Sequence, residues 1–277
     1  MIDDIAALLR CPLCGGALAR MGGSLTCPGR HCYDIARQGY VNFVPNQRDM
    51  FYTRALFEAR ARVFAAGIYA PVAERIGDAL RRFVPGECPV IVDAGCGEGY
   101  YTRAVCPERR MTRIGFDLSK EAVRMAARGA REAAFFAADL KRIPLADGCA
   151  DAVLDVFTPA DYAEFARVLR PGGVVIKLAP RSGYLAELRQ AAGALLRRKT
   201  YDDGDVSRYA HAKMRVLAEE TITYTLPVSQ EMAADLARMT PMLAGIDGSR
   251  LDLTGVRTIT IDENLYVGTF ASDGGEA

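Results

Sequence analysis

The chain has 277 residues, half of them hydrophobic and a quarter charged, with a formal net charge of +1. That length accommodates one large domain plus a small one, and the near-neutral balance offers no overall attraction to a polyanion. No run of about 18 apolar residues occurs, which excludes a membrane-spanning helix, and the acidic start Met1-Ile2-Asp3-Asp4 is unlike a secretory signal. The expectation is a cytoplasmic protein whose 8 cysteines serve as metal ligands, reactive thiols or small buried groups, not as a disulfide framework.

Residues 1–45 are rich in Cys and Gly and read as a zinc-binding module. Cys11-Pro12-Leu13-Cys14 is a C-x-x-C pair, and Cys27 and His31 follow at a spacing that suits a second pair. Two short hairpin-like elements can bring four such ligands into a tetrahedron around Zn²⁺. A module this small buries too little apolar surface to fold alone, so the metal would stabilise it. Cys32, next to His31, leaves the fourth ligand open between the two. A redox pair is the competing reading of the C-x-x-C, but the βαβ context of a thioredoxin-like motif is absent.

Residues 46–85 form a helical linker: Leu56, Arg60, Val63 and Phe64 recur at helical spacing, as do Val72, Ile76, Leu80 and Phe83 after Pro71. Proline is well placed in a first helical turn. From residue 86 the texture changes to short apolar runs alternating with helical stretches at 119–129 and 160–169. The runs are Val90–Val92, Arg113–Phe116, Ala134–Ala137, Ala152–Leu154 and Val174–Ile176. Fully apolar strands alternating with helices imply an α/β domain over 86–277 with a buried, mostly parallel sheet. Residues 183–215, with the basic run Arg197-Arg198-Lys199, read as helix. Thr221–Leu226 and Val256–Phe270, on either side of a helix at 229–239, read as a late strand pair forming an antiparallel edge.

The strongest chemical signal is Asp93-Ala94-Gly95-Cys96-Gly97-Glu98-Gly99-Tyr100, between the first strand of this domain and a helix. Glycines let the backbone turn tightly and approach a ligand, and the helix start offers free N–H groups to a negative group. Asp117 ends the second strand, from which a carboxylate can hold ribose hydroxyls. The G-x-G-x-G spacing departs from the dinucleotide fingerprint G-x-G-x-x-G and resembles the first motif of class I methyltransferases, which bind S-adenosylmethionine in a Rossmann-like fold. That resemblance makes Asp139, after the third strand, an adenine contact, and Arg167–Gly173 the turn before the fifth strand.

The opening Cys-Pro-Leu-Cys-Gly, then Cys27–His31 and Gln38-Gly39-Tyr40-Val41-Asn42, look like the bacterial 23S rRNA guanine-N1 methyltransferases. The likeness runs nearly end to end. It includes Glu58-Ala59-Arg60, Gly67-Ile68-Tyr69, Gly95–Thr102, Asp117-Leu118-Ser119-Lys120 and Met239-Thr240-Pro241. The resemblance implies an N-terminal zinc ribbon with Cys11, Cys14, Cys27 and His31 as ligands. It implies S-adenosylmethionine at Asp93, Gly95, Gly97, Gly99, Tyr100, Asp117, Leu118 and Asp139, with Tyr69 reaching over it from a linker that acts as a lid. It also implies a 23S rRNA hairpin loop as substrate and a homodimer. Tyr184 stands where the family usually has a cofactor-contacting His, and a phenol cannot act as a near-neutral base. Three further stretches depart from the family: Arg48-Asp49-Met50-Phe51-Tyr52 replaces a Gly-Asp pair, Met242-Leu243-Ala244-Gly245 replaces aromatics, and Ile261-Asp262-Glu263-Asn264 carries an acid where an aromatic is common.

Guanine N1 carries a proton, so a base or an oxygen-stabilising group assists its methylation. The expected acceptor wall is Asp155-Val156-Phe157-Thr158-Pro159, with Asp155 taking or orienting that proton and Phe157 stacking on an extruded base. Arg54, Arg60 and Arg62 are the expected phosphate contacts.

Overall fold

The computed structural model describes residues 2–45, 53–128, 130, 132–196 and 204–270. The stretch Arg48–Tyr52 and the run Arg197-Arg198-Lys199 lie outside the described residues. The chain opens with α1 (Ile2–Ile5) and a three-stranded antiparallel sheet of β1 (Ala19–Met21), β2 (Ser24–Thr26) and β3 (Cys32–Asp34), followed by β4 (Val41–Asn42). The linker is two helices, α2 (Arg54–Ala65) and α3 (Ala70–Phe83). Thr53 caps α2 by accepting the Leu56 N–H at 3.3 Å, and Pro71 occupies the first turn of α3.

The main domain follows with β5 (Val90–Ala94), α4 (Tyr100–Ala104), β6 (Thr112–Asp117), α5 (Lys120–Ala126), β7 (Ala133–Ala137), β8 (Ala150–Val156), α6 (Tyr162–Val168) and β9 (Leu169–Pro180). It ends with α7 (Ala186–Ala192), α8 (Gly204–Lys213), β10 (Arg215–Pro227), α9 (Gln230–Met239) and β11 (Thr258–Thr269). The main sheet runs in the order β10-β11-β9-β8-β5-β6-β7-β4. Strands β9, β8, β5, β6, β7 and β4 are parallel, and β11 lies antiparallel between β9 and β10. The reversed strand is therefore not the edge itself: β10, outermost, runs the same way as β9.

Two sequence readings change. Residues 183–215 are not one helix, because α7 ends at Gly193, whose φ of +45° stops it, and β10 begins at Arg215. Arg215–Glu220 pair with the end of β11, with a register shift between Val216 and Ala218, so long-range pairing overrides the helical preference of Leu-Ala-Glu-Glu.

Helices pack on both faces. One core holds Val72, Ile76 and Leu80 of α3 against Leu154, Ile176, Leu178 and Leu265 of the sheet. The other joins the N-terminal module to the domain, with Leu9, Leu25, Val41 and Phe43 packed with Phe136, Ile143 and Leu145. Backbone bonds reinforce this join: Phe43 N donates to Ala137 O at 2.8 Å, Arg10 N to Pro144 O at 3.1 Å and Ala146 N to Leu8 O at 2.7 Å. The zinc-ribbon segment thus supplies the eighth strand of the main sheet. Among the described residues no helix is long and apolar enough to cross a membrane.

Candidate active site and metal centre

Two backbone knuckles shape the N-terminal cluster. Gly15 N donates to Cys11 O at 2.8 Å, and Arg30 N donates to Cys27 O at 2.9 Å with Arg30 in the left-handed region. They turn Cys11, Cys14, Cys27 and His31 toward one another, so that one donor atom of each lies within 4.8 Å of all the others. Cys14 Sγ is 3.5 Å from Cys27 Sγ, and His31 Nδ1 is 3.5 Å from Cys11 Sγ and 3.4 Å from Cys27 Sγ. Tetrahedral zinc with bonds of about 2.3 Å to sulfur places sulfurs about 3.8 Å apart, so the donor set fits that ion. Cys32 is exposed on β3 and outside the cluster, which favours His31 as the fourth donor. Tyr33 Oη lies 3.2 Å from Cys11 Sγ, a hydrogen bond that orients the thiolate from behind.

The glycine-rich loop leaves the carboxyl end of β5, the usual ligand-facing end of an open parallel sheet. Gly95, Gly97 and Gly99 have φ of +70°, +56° and +78°, which side chains rarely adopt. A Cβ on Gly95 would meet Thr158 Oγ1 at 2.4 Å, so the loop packs directly on the segment after β8. Asp117 accepts N–H bonds from Gly97 at 2.9 Å and Ser119 at 2.8 Å, which fix its carboxylate at the loop. Leu118, 41% exposed, projects beside it, and Asp139 follows β7 and accepts from Lys141 N at 2.9 Å. Asp93 lies beneath the loop, where it accepts from Thr102 Oγ1 at 2.5 Å and fastens α4 to β5. Burial pushes its carboxyl up to about 7. Tyr100 stacks on Phe64 of α2 with ring centroids 4.1 Å apart, so the linker is clamped onto the start of α4.

Across from the loop sits a group of phenols. Tyr69 is fully buried at the start of α3, and its hydroxyl is 2.5 Å from that of Tyr184. Burial raises both phenols, so each stays protonated near neutral pH. Phe157 has φ of +55°, is 39% exposed and lies 5.5 Å from Tyr184 between ring centroids. Strained backbone at an exposed aromatic is characteristic of ligand-facing positions.

The structure gives Asp155 and the three linker arginines partners that the sequence did not suggest. Asp155 is fully buried and bound to Lys177 Nζ at 2.6 Å, directly opposite it in the β8–β9 register. Its side chain alternates with those of Leu154 and Val156, which face α3, so Asp155 points to the other face of the sheet. The ion pair with Lys177 on that face speaks against the expected base role. Arg60, expected to meet phosphate, instead turns inward to Glu98 of the loop at 3.2 Å. Arg62 binds Asp235 of α9 through two bonds of 2.6 Å, and Arg54 pairs with Glu58 at 2.7 Å. The sequence reading also missed a role for Glu263 beyond noting it as a departure. It is fully buried on β11, both carboxylate oxygens lack a hydrogen-bond partner, and Tyr69, Tyr101, Tyr184 and Tyr224 lie within its electrostatic reach.

Together, the parallel sheet with one reversed strand, the positive-φ glycine loop, the fixed Asp117 and the four-ligand cluster define a class I S-adenosylmethionine-dependent methyltransferase with an N-terminal zinc ribbon. Residues 9–49 match the family model described as RlmA, N-terminal, and residues 91–173 match the model described as Methyltransferase domain. The chain is 32% identical over 276 residues to the 23S rRNA (guanine(748)-N(1))-methyltransferase of Streptomyces fradiae, covering 96% of this chain and 98% of that one. It is 33% identical over 273 residues to a Bacillus subtilis (strain 168) protein named for guanine-N1 methylation of 23S rRNA, covering 95% and 97%. Among solved structures, a chain from the complex of the Haloferax volcanii Trm112 methyltransferase activator with a methyltransferase shares the fold. Its TM-score is 0.51 at 20% identity, over 82% of this chain and all of that one. The chain belongs to the 23S rRNA guanine-N1-methyltransferase family.

Proposed function

We propose that the protein methylates N1 of a guanine in a 23S rRNA hairpin loop. The observation that carries this reading is the near-complete coverage of the family by one chain that also retains both the ligand cluster and the cofactor loop. S-adenosylmethionine, when bound, supplies a methyl group activated by its sulfonium. Gly95, Gly97, Gly99 and Tyr100 would cradle it, Asp117 would hold its ribose, and Leu118 and Asp139 would border its adenine. Asp93 positions α4 beneath. Tyr69 and Tyr184, joined at 2.5 Å, would close the cofactor from the linker side.

Phe157 would be the stacking platform for the acceptor base, its exposure and left-handed backbone presenting the ring outward next to Tyr184. Holding the acceptor nitrogen in line removes much of the entropic barrier to transfer. Cys11, Cys14, Cys27 and His31 would hold zinc, and the ribbon they stabilise would lie along the RNA.

Purified protein incubated with labelled S-adenosylmethionine and unmodified 23S rRNA tests this reading, with label located by nuclease mapping. Label at one guanine N1 in a hairpin loop is the expected result, with transfer that falls steeply as salt rises. Absence of label from rRNA, in protein that still binds the cofactor by calorimetry, would overturn the rRNA assignment.

A further inference from the structure

Arg60 and Glu98 form a charge pair that leaves three of its polar atoms without a hydrogen bond. Arg60 Nε is 3.2 Å from Glu98 Oε2, yet Arg60 Nε and both oxygens of Glu98 are buried without a hydrogen-bond partner. Arg60 comes from α2 and Glu98 from the glycine loop, so the pair sits where the linker closes on the cofactor turn. A Cβ on Gly97 would lie 3.3 Å from Arg60 Nη2, so the guanidinium rests directly on the loop. Gly97 thus meets Arg60 on one side and donates its N–H to Asp117 on the other. The Arg60 guanidinium also lies 5.5 Å from the centre of the Phe64 ring, which limits where it can swing.

Buried charges with open hydrogen-bonding capacity are costly unless further partners complete them. A lone anion or cation would satisfy one member and repel the other. A zwitterion with a carboxylate and an ammonium on one carbon satisfies both. We propose that Arg60 and Glu98 form the receptor for the amino-acid end of the cofactor, Arg60 binding its α-carboxylate and Glu98 its α-ammonium. The proposal rests on the reading that the Gly95–Gly99 loop receives S-adenosylmethionine. The adenosine end falls to Asp117, Leu118 and Asp139, so the two ends are recognised by separate groups.

The test compares two ligands by calorimetry on the full-length, zinc-loaded protein: S-adenosylhomocysteine, which carries the amino-acid end, and 5′-methylthioadenosine, which lacks it. Wild-type protein should prefer the first. Arg60→Met and Glu98→Gln should each weaken S-adenosylhomocysteine at least tenfold and leave 5′-methylthioadenosine within about twofold, while Arg60→Lys recovers part of the loss. Retained binding of 5′-methylthioadenosine also shows that each variant is folded. Unchanged affinity for S-adenosylhomocysteine, or parallel loss of both ligands in Arg60→Met and Arg60→Lys alike, would overturn the proposal. Failure of the wild-type protein to bind either ligand would instead overturn the reading of the loop, and the proposal with it.

Discussion

The hydroxyls of Tyr69 and Tyr184 meet at 2.5 Å, joining the start of α3 to the segment that follows β9. Tyr69 is fully buried, so its hydroxyl has no water to turn to if Tyr184 loses its own. Tyr184→Phe is expected to cost about 1–3 kcal/mol, the usual penalty for stranding a buried polar group. The double variant Tyr69→Phe/Tyr184→Phe should cost less than the sum of the two single changes. Urea unfolding of the four proteins measures the coupling, and strict additivity would show that the pair carries no joint energy.

Asp155 and Lys177 should behave as a structural pair. Asp155→Asn leaves a buried ammonium without its counter-charge and is expected to destabilise by about 3–5 kcal/mol. The pH dependence of methyl transfer in the folded variant should match that of wild type. A profile that loses an acidic limb in Asp155→Asn would restore the base assignment.

Glu263 makes stability depend on pH in a defined sense. Burial, with neighbouring Asp262, holds its carboxyl well above the ordinary value of 4.5. Above 4.5 the unfolded chain has released this proton while the folded chain still holds it. The fold binds more protons there, so this group's contribution falls as pH rises. Glu263→Gln keeps the shape and removes the titration. Its melting temperature should exceed that of wild type by more at pH 8 than at pH 5, and an equal difference at both would contradict this account.

The metal assignment separates two adjacent residues. Cys32→Ser should retain about one zinc per chain by metal analysis, because a tetrahedral site is already complete without it. Cys27→Ser or His31→Ala should lose the metal and lower the melting temperature. Equal metal loss in Cys32→Ser would overturn the ligand set.

Much of this arrangement was legible in the sequence. The five apolar runs became strands because each is buried on both faces, where composition alone reports environment. The clustering of Cys11, Cys14, Cys27 and His31 was readable from spacing, since a C-x-x-C and a C-x-x-x-H knuckle need few residues and little context. What was not legible depended on register or on which way a polar residue faces. The pairing of Asp155 was hidden because its partner, Lys177, is fixed only by the alignment of β8 with β9. Arg60 was misread although a signal existed: it falls three residues after Phe57 and four before Phe64, on the buried stripe of α2. An arginine on an apolar stripe is more informative than one on a solvated face. The length of β10 was hidden because Leu217-Ala218-Glu219-Glu220 favours helix until β11 is there to pair with it.

The short strand β4 has a consequence of its own. Val41 and Asn42 extend the main sheet beside β7, and the same module is closed by the four-ligand cluster. Strand β7 runs directly into Asp139, at the adenine side of the cofactor loop. Metal occupancy and cofactor affinity therefore share a strand pair, and each should appear in the binding isotherm of the other. Stripping the metal should therefore weaken cofactor binding as well as lower the melting temperature.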